Sequence, residues 1–270
     1  MKKIFIDKPI GANTWGDDDE TSAAYVREEL ARAVPGDGVQ LVINSPGGDV
    51  VEGIALFNVI RAFARNNPTV EITTYIQGTA ASMASVCALA ANSVNPTQNK
   101  IIAEDNSVFM IHDAWGVCIG NTNDMTAEAE LLGRIDGVLR EVYAARTGKG
   151  ADEIKALMDA ESWYFGAEIR DAGFCDSIIQ SARNPDEKPA DDGDKALLTA
   201  TAKANYGAAA ARTKERLERK NRAEKVSLAA ALVEVEKARN IAAQKQAAAQ
   251  AAAEREARAR ALSLLETQYL

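Results

Sequence analysis

The sequence predicts an α/β fold over residues 1–180, in which strands and helices alternate. Three observations support this prediction. Short apolar runs rich in β-branched residues recur at 39–44, 70–76 and 107–111. Segments with apolar residues at helical spacing stand between these runs. Short turns join the two kinds of segment, and this alternation favours a sheet of largely parallel strands.

The individual elements follow from the same criteria. The predicted strands are short and apolar, and lie at 3–6, 39–44, 70–76, 101–102 and 107–111. The predicted helices each have an apolar face, and lie at 22–34, 50–64, from Ser82 onward, at 126–146 and at 151–158. The run Pro35-Gly36-Asp37-Gly38 is expected to end the first helix, and Asn123 or Asp124 to cap the long one.

The stretch 70–92, VEITTYIQGTAASMASVCALAAN, is the centre of the predicted fold. It is typical of a buried strand, a sharp turn at Gly78 and a helix of small residues that begins at Ser82. A hydroxyl in this position lies beside the positive end of a helix dipole, where backbone N–H groups converge. Such a position suits a nucleophile, although a small residue packed under a helix start gives the same pattern.

The helix predicted at 126–146 has an apolar stripe wider than one contact face requires. Its members are Leu131, Leu132, Ile135, Val138, Leu139, Val142 and Tyr143. An ordinary core-facing helix and a helix that also contacts other subunits both fit this stripe.

The chain changes character after residue 180. Residues 181–195, SARNPDEKPADDGDK, hold two prolines and a charge run, and are predicted to be a linker. Residues 196–270 are rich in Ala, Arg, Lys, Glu and Gln and contain no proline, which predicts a long helical or coiled-coil tail. Residues 1–196 contain 17 basic and 31 acidic side chains, whereas 197–270 contain 14 basic and 8 acidic ones. Opposite charge in the two parts suggests two separate roles.

Composition excludes several classes of function. No run of 18 apolar residues indicates a transmembrane helix, and the N-terminus lacks the apolar region of a secretory signal. Three cysteines without CxxC spacing fit a reducing cytoplasm. The single histidine, His112, argues against a His-rich metal site, so we expect no metal and no cofactor. The acidic body does not resemble a nucleic-acid binder, and no membrane partner is expected.

Three motifs in this order carry a specific resemblance. INSPGGDV at 43–50, GTAASM at 78–83 and FMIHDAWG at 109–116 together resemble the Clp-type serine peptidases of the ClpP/crotonase fold, which is built from repeated β-β-α units. Within that group, the chain is most similar to the ClpP-related head-maturation (prohead) proteases of tailed phages. The resemblance covers residues 1–180.

The resemblance implies a role for each motif residue. Ser82 would be the nucleophile, His112 the general base, and the backbone N–H groups of Gly48 and Met83 the oxyanion donors. The loop between the strand at 39–44 and the next helix would line the cleft and bind the extended substrate backbone through Asn44, Ser45, Pro46, Gly47 and Asp49.

The third member of the triad departs from the bacterial pattern, in which an Asp precedes the closing helix. The WYFGAE stretch places Ser162 at that position, and Asp159 and Glu161 are near it. Asp159 or Ser162 is the prediction, and the sequence does not choose between them.

The resemblance predicts a serine endopeptidase that cleaves capsid or scaffold proteins in the host cytoplasm, within the assembling prohead. It also implies a homo-oligomeric ring, and the tail would be a fused scaffold. One alternative is a Clp-type subunit that works with an ATP-dependent unfoldase, although the basic tail does not fit that pattern. Another is a structural assembly protein with a dead site. Acyl-CoA chemistry of the crotonase type fits the Ser-His motifs less well.

Overall fold

The computed structural model describes residues 1–12, 19–33, 37–180, 200–204, 206–208, 211 and 215. Compactness divides the chain into units 1–210 and 211–270, and all elements named here belong to the first. The predicted linker at 181–195, most of the predicted tail and the expected helix stop at Pro35 and Gly36 lie outside the described residues.

The elements alternate much as predicted. The strands are β1 (Lys2–Ile6), β2 (Val39–Ser45), β3 (Ile72–Ala81), β4 (Ile101–Glu104), β5 (Val108–Ile111), β6 (Ser162–Phe165) and β7 (Ser177–Ile179). The helices are α1 (Ala23–Ala31), α2 (Val50–Asn66), α3 (Met83–Ala88), α4 (Thr122–Thr147), α5 (Ala151–Asp159) and α6 (Ala167–Asp171).

The sheet has a parallel main part in the order β1-β2-β3-β4-β7. β5 pairs parallel with the last residues of β3, and β6 pairs antiparallel with β5. This confirms the predicted α/β class with a parallel sheet. In the described part of the chain, no helix is both long and apolar enough to cross a bilayer.

The core explains why the strands contain so many branched apolar residues. Ile4, Leu41, Ile43, Ile72 and Ile76 are fully buried, and the strand register places them on the same face of the sheet. A second cluster of rings joins the β5–β6 pair to the helices: Phe174 stacks on Phe109 at 4.6 Å and meets Tyr143 edge-on at 6.0 Å. The β5–β6 pair, next to which the histidine lies, is therefore anchored in the core.

The turn expected at Gly78 is wrong, because β3 continues through it to Ala81. The glycine is required for another reason. A Cβ at Gly78 would lie 2.4 Å from Asn44 Oδ1, which accepts a hydrogen bond from Thr79 N at 3.1 Å. The glycine makes room for this side chain, and the sharp turn comes four residues later, at Ser82.

The start of the long helix also differs from the prediction. α4 begins at Thr122, and its N-cap is Asn121, whose side chain accepts hydrogen bonds from the amides of Asn123 and Asp124. Asp124 returns a bond to the Asn121 amide at 2.8 Å, which completes a capping box. Asn123 and Asp124 are therefore partners of the cap rather than the cap itself.

The wide stripe of α4 divides into a buried side and an exposed side. Leu139 and Tyr143 are 4% and 1% exposed, whereas Met125, Leu131 and Val138 are 45–51% exposed. The buried side contacts the body, and the exposed side leaves apolar surface uncovered.

We expect the full chain to self-associate at micromolar concentration through the exposed side of α4. The double variant Leu131→Glu, Val138→Glu places charges on that surface and should lower the sedimentation coefficient. Val51→Glu is the matched control, because Val51 is 75% exposed on α2. A wild-type chain that sediments as a monomer would contradict this prediction.

Candidate active site

Ser82 stands at a strained turn between β3 and α3. Its backbone has φ 56° and ψ −129°, a region that costs a non-glycine residue about 1–3 kcal/mol. Two contacts hold it there: the Ser82 amide donates to Met110 O at 3.0 Å, and the Ser85 hydroxyl donates to Ser82 O at 2.6 Å. The turn lifts the Ser82 side chain off the sheet end.

Ser85 links this turn to α4. Its Oγ lies 2.8 Å from the hydroxyl of Tyr143, and both side chains are buried. Since Ser85 donates to Ser82, the Tyr143 hydroxyl donates to Ser85. Tyr143 thus supports the strained turn, although the sequence placed it only in an apolar stripe.

His112 follows directly after β5. Its Nε2 lies 2.8 Å from Ser82 Oγ, the distance of a hydrogen bond between nucleophile and base. Burial lowers the pKa of His112, and the nearby charges of Glu161 and Asp136 oppose that shift. The ring is therefore neutral near pH 7, as a general base must be.

Glu161 directly precedes β6, just as His112 directly follows β5. The antiparallel ladder of β5 and β6 ends with Ile111 opposite Ser162, so His112 and Glu161 are the two residues just beyond its end. Glu161 has φ 51°, outside the usual range for a non-glycine residue, and its carboxylate accepts from Trp163 Nε1 at 3.1 Å. Its charge raises the pKa of His112 more than that of Asp136 does.

The two residues predicted as the third triad member have other partners. Asp159 ends α5, where its carboxylate accepts from Lys155 Nζ at 2.6 and 2.5 Å and also bonds Asp113. The Ser162 hydroxyl donates to Leu157 O at 2.7 Å. Within the described ranges, no hydrogen bond joins either of these side chains, or that of Glu161, to the His112 ring, so the case for Glu161 rests on its charge.

Gly48 and Met83 are the predicted oxyanion donors, and the neighbouring Gly47 lies against Ser82 and the Met83 amide. Ile10 donates to Gly47 O at 2.7 Å and accepts from Asp49 N at 2.9 Å, so the Gly48 amide between them points away from Ile10. Gly48 has φ 152°, and a Cβ there would lie 2.1 Å from Ile10 O. Met83 is the first residue of α3, so its amide has no partner within that helix.

The predicted substrate loop lies against the nucleophile. A Cβ at Gly47 would come within 2.7 Å of Ser82 Cβ. Ser45 is buried and donates to Lys8 O at 2.7 Å, and Asp49 caps α2 by accepting from Glu52 N at 2.7 Å. These two side chains fix the shape of the loop.

A cleft of about 480 Å³ borders this loop. Its lining includes three of the predicted substrate-binding residues, Asn44, Ser45 and Pro46. Residues of β3, β5 and β6 also line it: Thr79, Val108, Trp163 and Phe165. The cleft is mostly apolar and large enough for side chains of a peptide.

Tyr206 is a further residue of the site that the sequence did not single out. Its hydroxyl lies 3.0 Å from His112 Nε2. The feature of the sequence that could have pointed to Tyr206 is the composition around it, because Tyr206 and Tyr269 are the only aromatic residues after Phe174.

Together, these groups form the arrangement that acyl transfer requires. A strained serine lies within hydrogen-bond distance of a neutral imidazole, and the charge of Glu161 raises the pKa of that imidazole. The pair can deprotonate the serine hydroxyl for attack on a carbonyl group.

Comparison with known proteins agrees with this geometry. Residues 17–182 match the family model described as Clp protease. An ATP-dependent Clp protease proteolytic subunit of Oltmannsiellopsis viridis is 36% identical over 141 residues, which span 52% of this chain and 67% of that protein. The proteolytic subunit 1 of Chlamydia abortus is 28% identical over 184 residues, 67% of this chain and 87% of that protein.

We expect Ser82→Ala and His112→Ala each to lower peptide hydrolysis by about 10³-fold or more, since each removes one half of the nucleophile–base pair. Turnover of a fluorogenic peptide and labelling by a fluorophosphonate measure the loss. Ser93→Ala is the matched control, because its hydroxyl donates only to Ala90 O at 2.7 Å. Near-normal turnover by purified Ser82→Ala would show that the nucleophile is another residue.

We expect Glu161→Gln to lower kcat by about 10⁴-fold, the loss seen when a triad carboxylate is replaced by its amide. Loss of its negative charge should also lower the pKa of His112. The active base is the neutral ring, so the acid limb of the pH–rate profile, already below 6.5 because of burial, should move to lower pH.

Asp159→Asn and Ser162→Ala test the two residues predicted from the sequence, and Glu153→Gln on the exposed side of α5 is the control for the Glu-to-Gln change. A larger loss of kcat in Asp159→Asn or Ser162→Ala than in Glu161→Gln would identify that residue as the third member instead.

Proposed function

The chain belongs to the Clp protease family, and from this premise we propose that it is a serine endopeptidase whose triad is Ser82, His112 and Glu161. The 2.8 Å contact between Ser82 Oγ and His112 Nε2 at a strained strand–helix turn carries this proposal.

The reaction proceeds by two transfers at the same serine. His112 Nε2 takes the proton of the Ser82 hydroxyl while Oγ attacks the carbonyl carbon of the scissile bond. The oxyanion that forms accepts hydrogen bonds from the amides of Gly48 and Met83. The imidazolium then gives its proton to the leaving amine, the C–N bond breaks, and an acyl ester remains on Ser82. Water deprotonated by His112 hydrolyses that ester and regenerates the serine.

Glu161 acts on the ring rather than on the substrate. Its negative charge stabilises the imidazolium that forms during each proton transfer, which is the role of the carboxylate in such triads. The charge of Glu161 raises the pKa of His112 more than any other charge that acts on the ring, which supports this assignment.

We further propose that the substrates are capsid-assembly proteins and that the enzyme acts within assembling phage heads in the host cytoplasm. The resemblance of the three motifs to phage prohead proteases supports this, as does the tail, whose basic, alanine-rich composition is typical of an assembly segment. The charge difference between body and tail is consistent with two roles in one chain.

A second candidate is a proteolytic subunit that receives substrates from an ATP-dependent partner. The names of the relatives from Oltmannsiellopsis viridis and Chlamydia abortus favour this role. The two proposals differ in the fate of the tail, because an assembly protease of this kind is expected to remove it.

We expect the wild-type chain to release its own tail by cleavage between about Gln180 and Asn205. The charged, proline-containing stretch 181–195 is the kind of sequence that an active-site cleft accepts in extended form. Neighbouring subunits in an oligomer raise the local concentration of such stretches. Intact mass spectrometry over time should show truncation in the wild type and none in Ser82→Ala.

Equal truncation in wild type and Ser82→Ala would identify host proteases as the cause. A wild-type chain that stays intact with capsid protein present, yet degrades a protein substrate once an ATP-dependent unfoldase is added, would favour the second candidate.

A further inference from the structure

A tyrosine from beyond the peptidase body lies in the candidate active site. The Tyr206 hydroxyl is 3.0 Å from His112 Nε2, the same nitrogen that lies 2.8 Å from Ser82 Oγ. The Tyr206 ring meets the rings of His112 and Trp163 edge-on, with centroids 5.6 and 5.8 Å apart. Both a polar and an aromatic contact therefore hold it over the catalytic pair.

The Tyr206 hydroxyl competes directly with the nucleophile. A neutral imidazole has one nitrogen that accepts a hydrogen bond, and Ser82 must donate to that nitrogen to become reactive. Burial raises the pKa of the Tyr206 hydroxyl, so it keeps its proton at neutral pH and can act as the donor. When it donates to Nε2, His112 is no longer free to accept the serine proton.

The segment around Tyr206 does not resemble a bound substrate. Residues 200–204 and 206–208 are helical, and Thr201 and Ala202 line the same cleft as Tyr206. A helix closes its own N–H to C=O hydrogen bonds, whereas a protease binds an extended backbone whose groups are free to pair. The segment offers a side chain to the catalytic pair and keeps its peptide bonds protected.

We propose that residues 200–204 and 206–208 form an intramolecular plug that occupies the substrate cleft and holds His112 through Tyr206, so that the peptidase is latent until the segment withdraws. This inference rests on the proposed function. Cleavage N-terminal to Tyr206, as proposed for the tail, would detach the plug together with the tail. Removal of the tail would then also activate the enzyme permanently.

The test uses the full chain without an affinity tag, shown by intact mass spectrometry to be uncleaved so that the plug is still attached. It compares the rate at which a fluorophosphonate labels Ser82. Tyr206→Ala should label about 10-fold faster or more, because reactivity scales with the fraction of open sites. Tyr206→Phe keeps the ring but loses the hydrogen bond, and should fall between Tyr206→Ala and wild type. Tyr25→Ala, a half-exposed tyrosine of α1, is the matched control and should label as wild type does.

A second measurement does not depend on activity. His112 is the only histidine, so its ring gives a single NMR titration without mutagenesis. Loss of the Tyr206 hydroxyl removes a donor that favours the neutral ring, so Tyr206→Phe should raise the pKa of His112. Tyr206→Ala also admits water and should raise that pKa further.

The outcomes separate the two proposals. Equal labelling rates in wild type and Tyr206→Ala, or a His112 titration unchanged in both variants, would overturn the plug. No labelling in any form together with a shifted His112 titration would support docking of the segment and overturn the peptidase function. Faster labelling together with the shifted titration would support both.

Discussion

The hydrogen bond from the Ser82 amide to the Met110 carbonyl is the contact on which the site depends. It joins the turn after β3 to the end of β5 and so sets the nucleophile beside the base two residues further on. Without it, the strained backbone of Ser82 would relax, and the 2.8 Å approach of Oγ to His112 would have no support. The buried Ser85–Tyr143 pair holds the same turn from the helix side.

The electrostatics of the site divide the acidic residues into two groups. Glu161 and, more weakly, Asp136 favour the imidazolium of His112. Asp113 and Asp159 contact each other, and burial together with that contact raises the pKa of Asp113 to about 6. Lys155 offsets the charge of Asp159. Of these carboxylates, Glu161 therefore has the largest effect on a base that must alternate between neutral and charged forms.

How far the sequence predicts the structure depends on the kind of contact involved. Periodicity predicted the parallel α/β sheet, and the three motifs placed Ser82, His112 and the loop at 45–48 in one region. Spacing along the chain does not reveal strand register. The sequence around Ser162 therefore could not show which acidic residue would act on His112. Gly78 was misread as a turn because its requirement comes from a distant side chain, Asn44. Tyr206 has no local pattern at all.

The two-part pairing of β3 has a consequence for how the protein opens. Its first half is held between β2 and β4 in the main sheet, whereas its last residues pair with β5, whose other neighbour is only the four-residue β6. β6 is the edge strand and is only half-buried, so we expect its amide hydrogens to exchange through local openings that cost less free energy than global unfolding, whereas β5 is buried with the core. Opening of β6 would change the surroundings of His112 while the parallel sheet stays intact, and the thermal denaturation midpoint of the fold would not report it.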